Sequence, residues 1–110
     1  MATKANLVID QGTTFSVELD LSDDTGDVLN LDGFTANAQM RKWYTSSNST
    51  AFTTSINTNS GQIILTLSAN QTNLLTAGRY VYDVELRETS TNAISRVVEG
   101  IVTVTPQVTR

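Results

Sequence analysis

The sequence predicts a single all-β domain, a sandwich of two sheets with about seven to nine strands and one short helical turn. Apolar and polar residues alternate along several short stretches, which places one side of each strand in a core. Turn-forming residues, chiefly Gly, Asn, Asp and Ser, separate these stretches at fairly regular intervals. With 110 residues the chain can bury a core without disulfides, so we expect one domain spanning residues 1–110.

The first half of the chain carries the clearest alternation. Every second residue is apolar in residues 14–21, which predicts a half-buried antiparallel strand. The alternation recurs in residues 35–43, where we expect Met40 to fill the centre of the core. The Asp- and Gly-rich segment 22–27 predicts a turn, and a hairpin that returns through residues 28–31. We further expect an edge strand at residues 7–9 and a weak, exposed strand at residues 52–56.

The second half is predicted to contain the helix and the longest strands. Residues 62–67 alternate as a strand, and Ser68 is a suitable N-cap for a helical turn that runs to about Leu75. The last strand is expected at residues 94–105, before Pro106. Because this strand is apolar on both faces, we expect either a neighbour on its outer side or a bulge at Gly100.

The strand that begins at Gly78 decides the type of sandwich. Tyr80 and Tyr82 alternate with outward residues, among which Val81 is the apolar exception. The order Gly-x-Tyr-x-Tyr matches the tyrosine corner of immunoglobulin-like domains, where a Tyr hydroxyl bonds back to the preceding connection. We therefore assign Gly78 and Tyr80 to a structural corner and predict an immunoglobulin-like Greek-key β-sandwich. Tyr82 would stand where antibody domains place their second cysteine.

The composition argues against several classes of function. The chain has no Cys and no His, which disfavours thiol and His-based catalysis, most transition-metal sites and disulfides. The net charge is −4 and the basic residues are scattered, which argues against nucleic-acid binding. The N-terminal residues contain no signal sequence or membrane span, so we expect a chain made in the cytoplasm, without membrane contact. From the composition we expect neither catalysis nor a cofactor.

The triplet at Asp24, Thr25 and Gly26 is the one sequence element with a catalytic reading. Aspartic proteases build paired carboxylates on this triplet, and a chain of this length could act as half of a homodimeric enzyme. The neighbouring Asp23 and Asp27 instead indicate a solvent-exposed acidic turn, at most an incidental calcium ligand. We interpret the segment as a turn and keep the protease as the lesser alternative.

Trp43 and Tyr44 precede a polar loop and allow two interpretations. An exposed aromatic pair can form a stacking platform for sugars, as in carbohydrate-binding or adhesive modules. Such a pair also commonly covers the end of a core or a protein interface. The acceptor patterns for N-glycosylation at Asn48 and Asn70 are interpreted as chance in a chain rich in Asn, Ser and Thr.

The last strand predicts an interface. Val97 and Ile101 are expected on its outer face, with Val81 on the adjacent strand, and sheets normally cover such residues. We predict that Val81, Val97 and Ile101, with Trp43 and Tyr44, contact another protein in a small homo-oligomer.

Four short segments follow one another along the chain: residues 10–15 (DQGTTF), 27–34 (DVLNLDGF), 78–84 (GRYVYDV) and 98–104 (VEGIVTV). Their order resembles that in two groups of phage proteins. They are the immunoglobulin-like N-terminal domain of phage baseplate upper proteins and, more closely, small structural proteins of myophages that infect cyanobacteria. This resemblance implies a non-enzymatic structural protein of a tailed-phage virion, in the tail, baseplate or capsid, whose partners are other virion proteins. The chain ends at Arg110, without the long helical extension of baseplate upper proteins.

Overall fold

The computed structural model describes residues 3–21, 31–44, 49–58 and 61–108. This part of the chain forms nine strands and one short helix. The elements, in chain order, are β1 Thr3–Lys4, β2 Leu7–Asp10, β3 Phe15–Asp20, β4 Phe34–Arg41, β5 Thr50–Ala51, β6 Thr53–Asn57, β7 Gln62–Leu67, α1 Ala69–Asn73, β8 Gly78–Glu88 and β9 Ile94–Thr105.

The strands form two sheets, as the alternation predicts. The larger sheet has six strands in the order β1, β9, β8, β4, β5, with β2 also paired to β9. The smaller sheet has the order β3, β7, β6. All pairs are antiparallel except those that β1 and β2 make with β9. The all-β class and the two-sheet architecture are therefore confirmed.

The core contains inward side chains of both sheets. Met40 is 1% exposed, so its predicted place in the core is confirmed. Phe52 is also buried, contrary to the exposed strand expected there. It lies between β5 of the larger sheet and β6 of the smaller sheet, where the chain crosses from one sheet to the other. Its ring lies 6.2 Å from the rings of both Phe15 and Tyr82, measured between centroids. Phe52 thus joins aromatic side chains from three parts of the chain.

The predicted short helix is present and is capped as its sequence indicates. Ser68 accepts a hydrogen bond from the Gln71 backbone N–H, and the Gln71 side chain accepts one from the Ser68 N–H, which is a capping box. Thr72 is fully buried and donates its hydroxyl to the Thr13 carbonyl at 2.7 Å. The helix therefore holds the connection between β2 and β3 in place.

Of the two alternatives expected for the last strand, the bulge at Gly100 is wrong, because the irregularity lies earlier in β9. Val84 pairs with Val98 while Glu85 pairs with Arg96, so Val97 is the extra residue. Val97 packs partly against the core instead of continuing the outer row with Ile101. The predicted turn at 22–27 and most of the strand at 28–31 lie outside the described residues, whereas Leu31 is described and buried.

Gly100 has a different role, which is to allow close approach of the N-terminal strand. Ala5 and Asn6 lie between β1 and β2, beside Gly100 and Ile101 of β9. The Ala5 N–H donates to the Glu99 carbonyl at 2.9 Å, and the Asn6 side chain accepts from the Ile101 N–H at 3.1 Å. A side chain on Gly100 would overlap the Ala5 carbonyl, so only glycine fits here without a backbone shift.

We expect Gly100→Ala to lower the free energy of unfolding by about 1 to 3 kcal/mol, because its methyl group would push the Ala5 backbone away from β9. Urea unfolding measures the effect, with Ser95→Ala on an exposed position of the same strand as the control. An unchanged unfolding midpoint in Gly100→Ala would show that the N-terminal strand does not approach β9 this closely.

Candidate functional site

The structure places Gly78 and Tyr80 at the start of β8. Gly78 has a φ of +138°, which only glycine adopts readily. The Tyr80 hydroxyl donates to the Thr76 carbonyl at 2.7 Å, within the connection that precedes the strand. Lys42 Nζ lies 4.9 Å from the centroid of the Tyr80 ring, close enough for a cation–π interaction. The hydroxyl bond is exposed to solvent, so its contribution to stability is small.

Tyr82 makes the more buried hydroxyl bond, which sequence reasoning missed. Its side chain is 4% exposed and its hydroxyl donates to the Ala5 carbonyl at 2.5 Å. The ring meets Phe52 edge-on, at an angle of 68°. Burial raises the pKa of the Tyr82 hydroxyl from 10.0 to about 12. One tyrosine therefore connects the core to the N-terminal strand.

The raised pKa makes this contact sensitive to alkaline pH. When the pKa of a hydroxyl is higher in the folded state than in the unfolded chain, its full contribution to stability requires a pH at which the unfolded chain also keeps the proton. The contribution of Tyr82 is therefore complete below about pH 10 and is lost as the pH rises towards about 12.

We expect Tyr82→Phe to destabilise the fold by about 1.5 kcal/mol, because it removes the partner of the Ala5 carbonyl in a mostly buried position. Tyr80→Phe is the matched control, and its exposed bond is worth about 0.5 kcal/mol. Urea unfolding of the two variants measures the difference. Equal losses, or a larger loss in Tyr80→Phe, would contradict the assignment of Tyr82 as the main tyrosine contact.

The outer face of the larger sheet, the side turned away from the smaller sheet, carries Val81 and Ile101 as predicted, but not Val97, which packs partly against the core. Val81 pairs directly with Ile101, and Ile101 is 41% exposed. Val8 pairs with Thr103, which places it diagonally from Ile101, and it is 63% exposed. We call Val8, Val81 and Ile101 the apolar patch. Val8 was not predicted, because its place beside Ile101 depends on the pairing of β2 with β9.

Charged side chains surround the apolar patch along the sheet. Arg96 contacts Asp83 and Glu99, with nitrogen–oxygen distances of 3.3 Å in both pairs. These side chains are partly exposed, so the ion pairs fix the positions of the surface charges but contribute little to the stability of the fold. A shallow concavity of about 390 Å³ lies here and is also lined by Tyr44 and Arg41. The surface thus combines an apolar centre with charges of both signs.

Trp43 and Tyr44, predicted as one aromatic pair, line different concavities. Tyr44 is 81% exposed and lines the charged concavity on the outer face. Trp43 is 66% exposed and lines a second depression of about 360 Å³ with Lys42, Leu74 and Tyr80. Leu74 is itself 84% exposed, so two large apolar side chains stand at the rim of this depression.

The remaining candidate sites are placed as follows. Asp23, Asp24 and Asp27, considered for catalysis or calcium, lie outside the described residues, as does Asn48. Asn70 is exposed on α1. Within the described ranges, no three His, Cys, Asp or Glu side chains are grouped so that they could hold a metal ion. No helix in the described part of the chain is long and apolar enough to cross a membrane.

Comparison with known proteins adds no identification. No protein-family model matches the chain, and a search of curated proteins gives no significant match. The candidate site is thus defined by the geometry alone. It consists of the outer face of the larger sheet, with the Trp43 depression as a second concavity.

Proposed function

We propose that this chain is an immunoglobulin-like Greek-key sandwich that serves as a non-enzymatic assembly subunit of a tailed-phage particle. The strand arrangement supports the fold assignment. Strands β4, β8 and β9 lie side by side in one sheet, opposite β3, β7 and β6 in the other, so the chain changes sheet as in immunoglobulin-like domains. The hydroxyl bond from Tyr80 to Thr76 agrees with a tyrosine corner.

The apolar patch is the observation that carries the functional proposal. Val8 and Ile101 expose branched apolar side chains at neighbouring positions on a sheet face, with Val81 beside them. Single exposed apolar residues are ordinary, but a contiguous group on a sheet is commonly covered by a partner. The resemblance to phage structural proteins makes other virion proteins the expected partners. We therefore place the activity of the chain in protein contacts.

The direct test is to locate the chain in phage particles released from the cells that make it. We expect antibodies raised against the purified chain to label washed particles at a constant position, and mass spectrometry to find the chain at a fixed ratio to the other virion proteins. Antiserum depleted with the purified chain is the control. A chain that stays in the soluble fraction of the lysate, with none in the particles, would contradict the proposal.

The Trp43 depression favours a second candidate function, which is carbohydrate binding. An exposed Trp ring beside Lys42 and the hydroxyl-bearing Ser49 and Thr50 offers both stacking and polar groups, as sugar sites do. A volume of about 360 Å³ lies within the usual range for small-molecule sites.

The chain has a single Trp, so fluorescence titration with oligosaccharides reports on this depression directly. Under this second function, we expect a saturable change in Trp43 emission. We also expect Trp43→Ala to lose binding on a glycan array while Tyr44→Ala, in the other concavity, retains it. A glycan array with no bound sugar, or equal loss in both variants, would exclude this function.

A further inference from the structure

We propose that the outer face binds a second copy of this chain. The two copies would be related by a two-fold axis that lies between their sheets, perpendicular to the strands, at the level of Val81. This inference rests on the proposed assembly function and names the partner. Two copies would pack their larger sheets face to face, with β8 antiparallel to β8 of the other copy. The apolar patch would lie at the centre of the contact.

The positions of the charges along β8 support this arrangement. Arg79, Val81 and Asp83 alternate with inward residues, so all three lie on the outer face. Arg79 and Asp83 are each two residues from Val81, about 7 Å along the strand in opposite directions. A two-fold axis over Val81 therefore sets Arg79 of each copy opposite Asp83 of the other, which forms two symmetric ion pairs.

The geometry of packed sheets leaves these pairs within reach. Facing sheets cross at about 30°, which displaces a position about 7 Å from the axis by roughly 3.5 Å. The long side chain of Arg79, which is exposed, can cover this displacement. Arg41 on β4 pairs with Val81, so it lies level with the axis and faces Arg41 of the other copy. Its guanidinium donates to the Gln39 side chain at 3.1 Å, which displaces the two like charges in opposite directions along β4. The ion pairs of Arg79 and Asp83 are therefore compatible with the usual packing angle.

A second face-to-face arrangement, with the axis along the strands, is disfavoured by the charges on β8 and β9. If the axis ran along the strands between β8 and β9, each residue of β8 would face its cross-strand partner on β9. Asp83 is paired with Glu99, so two pairs of carboxylates would then meet across the contact. Arg96 bridges Asp83 and Glu99 within each copy, and its single charge balances only one of them.

The size of the face predicts a weak dimer. Four strands about 4.8 Å apart and about seven residues long outline roughly 450 Å² per copy, or about 900 Å² in total. Stable complexes usually bury about 1,200 Å² or more, so we expect a dissociation constant in the micromolar range or weaker. Such a contact would be occupied mainly where many copies are held close together, as in a particle.

The test is sedimentation equilibrium of wild type over about 10 to 500 micromolar, a range that covers a weak dimer. We expect reversible dimers in wild type, and dimers weakened about tenfold in both Arg79→Glu and Asp83→Arg, since each variant faces two like-charge pairs. An equimolar mixture of these two variants should associate as strongly as wild type, because each supplies the charge that the other lacks. Arg87→Glu, also exposed on β8 and on the same face, is the control and should dimerise normally.

A second pair of variants guards against misfolding, since Asp83→Arg also removes an ion pair with Arg96. Ile101→Lys should abolish the dimer, whereas Ile94→Lys, at the far end of β9, should not. Wild type that stays monomeric throughout overturns the inference, and a mixture that fails to recover overturns the two-fold arrangement. If the particles contain the chain but the purified chain is monomeric, the inference fails alone; if dimers form but the particles lack the chain, the proposed function fails alone.

Discussion

The hydrogen bond from the Tyr82 hydroxyl to the Ala5 carbonyl is the contact on which the docking of the N-terminal strand depends. It joins residues 77 positions apart and holds the N-terminal strand against the last strand. Two neighbours make the approach possible: Gly100 leaves room for the Ala5 backbone, and Asn6 accepts the Ile101 N–H where β1 and β2 are interrupted. Because Leu7 and Ile9 of β2 are buried, this docking also closes one side of the core.

The same docking creates the outer face that we propose as the interface. Once β2 lies along β9, the outward side of β2 brings Val8 beside Ile101, and the pairing of β8 with β9 brings in Val81. The bulge at Val97 turns that residue partly towards the core and ends the apolar row on this side. The position of the apolar patch therefore follows from strand register, and in our proposal the charges around it set the orientation of the second copy.

Local patterns in the sequence were sufficient for most elements but not for the contacts between them. Alternation predicted the strands and the burial of Met40, and Ser68 predicted the capped helix, because these signals act within a few residues. The bulge at Gly100, one of two alternatives expected for the last strand, was wrong, since a glycine required by a distant backbone looks the same in sequence as one required by a local kink. The buried bond of Tyr82 and the place of Val8 could not be predicted, because both depend on which strand lies beside which.

Amide hydrogen exchange, measured by NMR on the wild-type chain, tests the docking of the N-terminal strand most directly. If Tyr82, Gly100 and Asn6 hold this strand in place, the hydrogen-bonded amides of β2 will exchange as slowly as those of Val102 to Thr105, at the rate of global unfolding. The two strands would then open as one unit. Fast exchange throughout β2, while β9 remains protected, would show that the strand frays independently and would contradict the account.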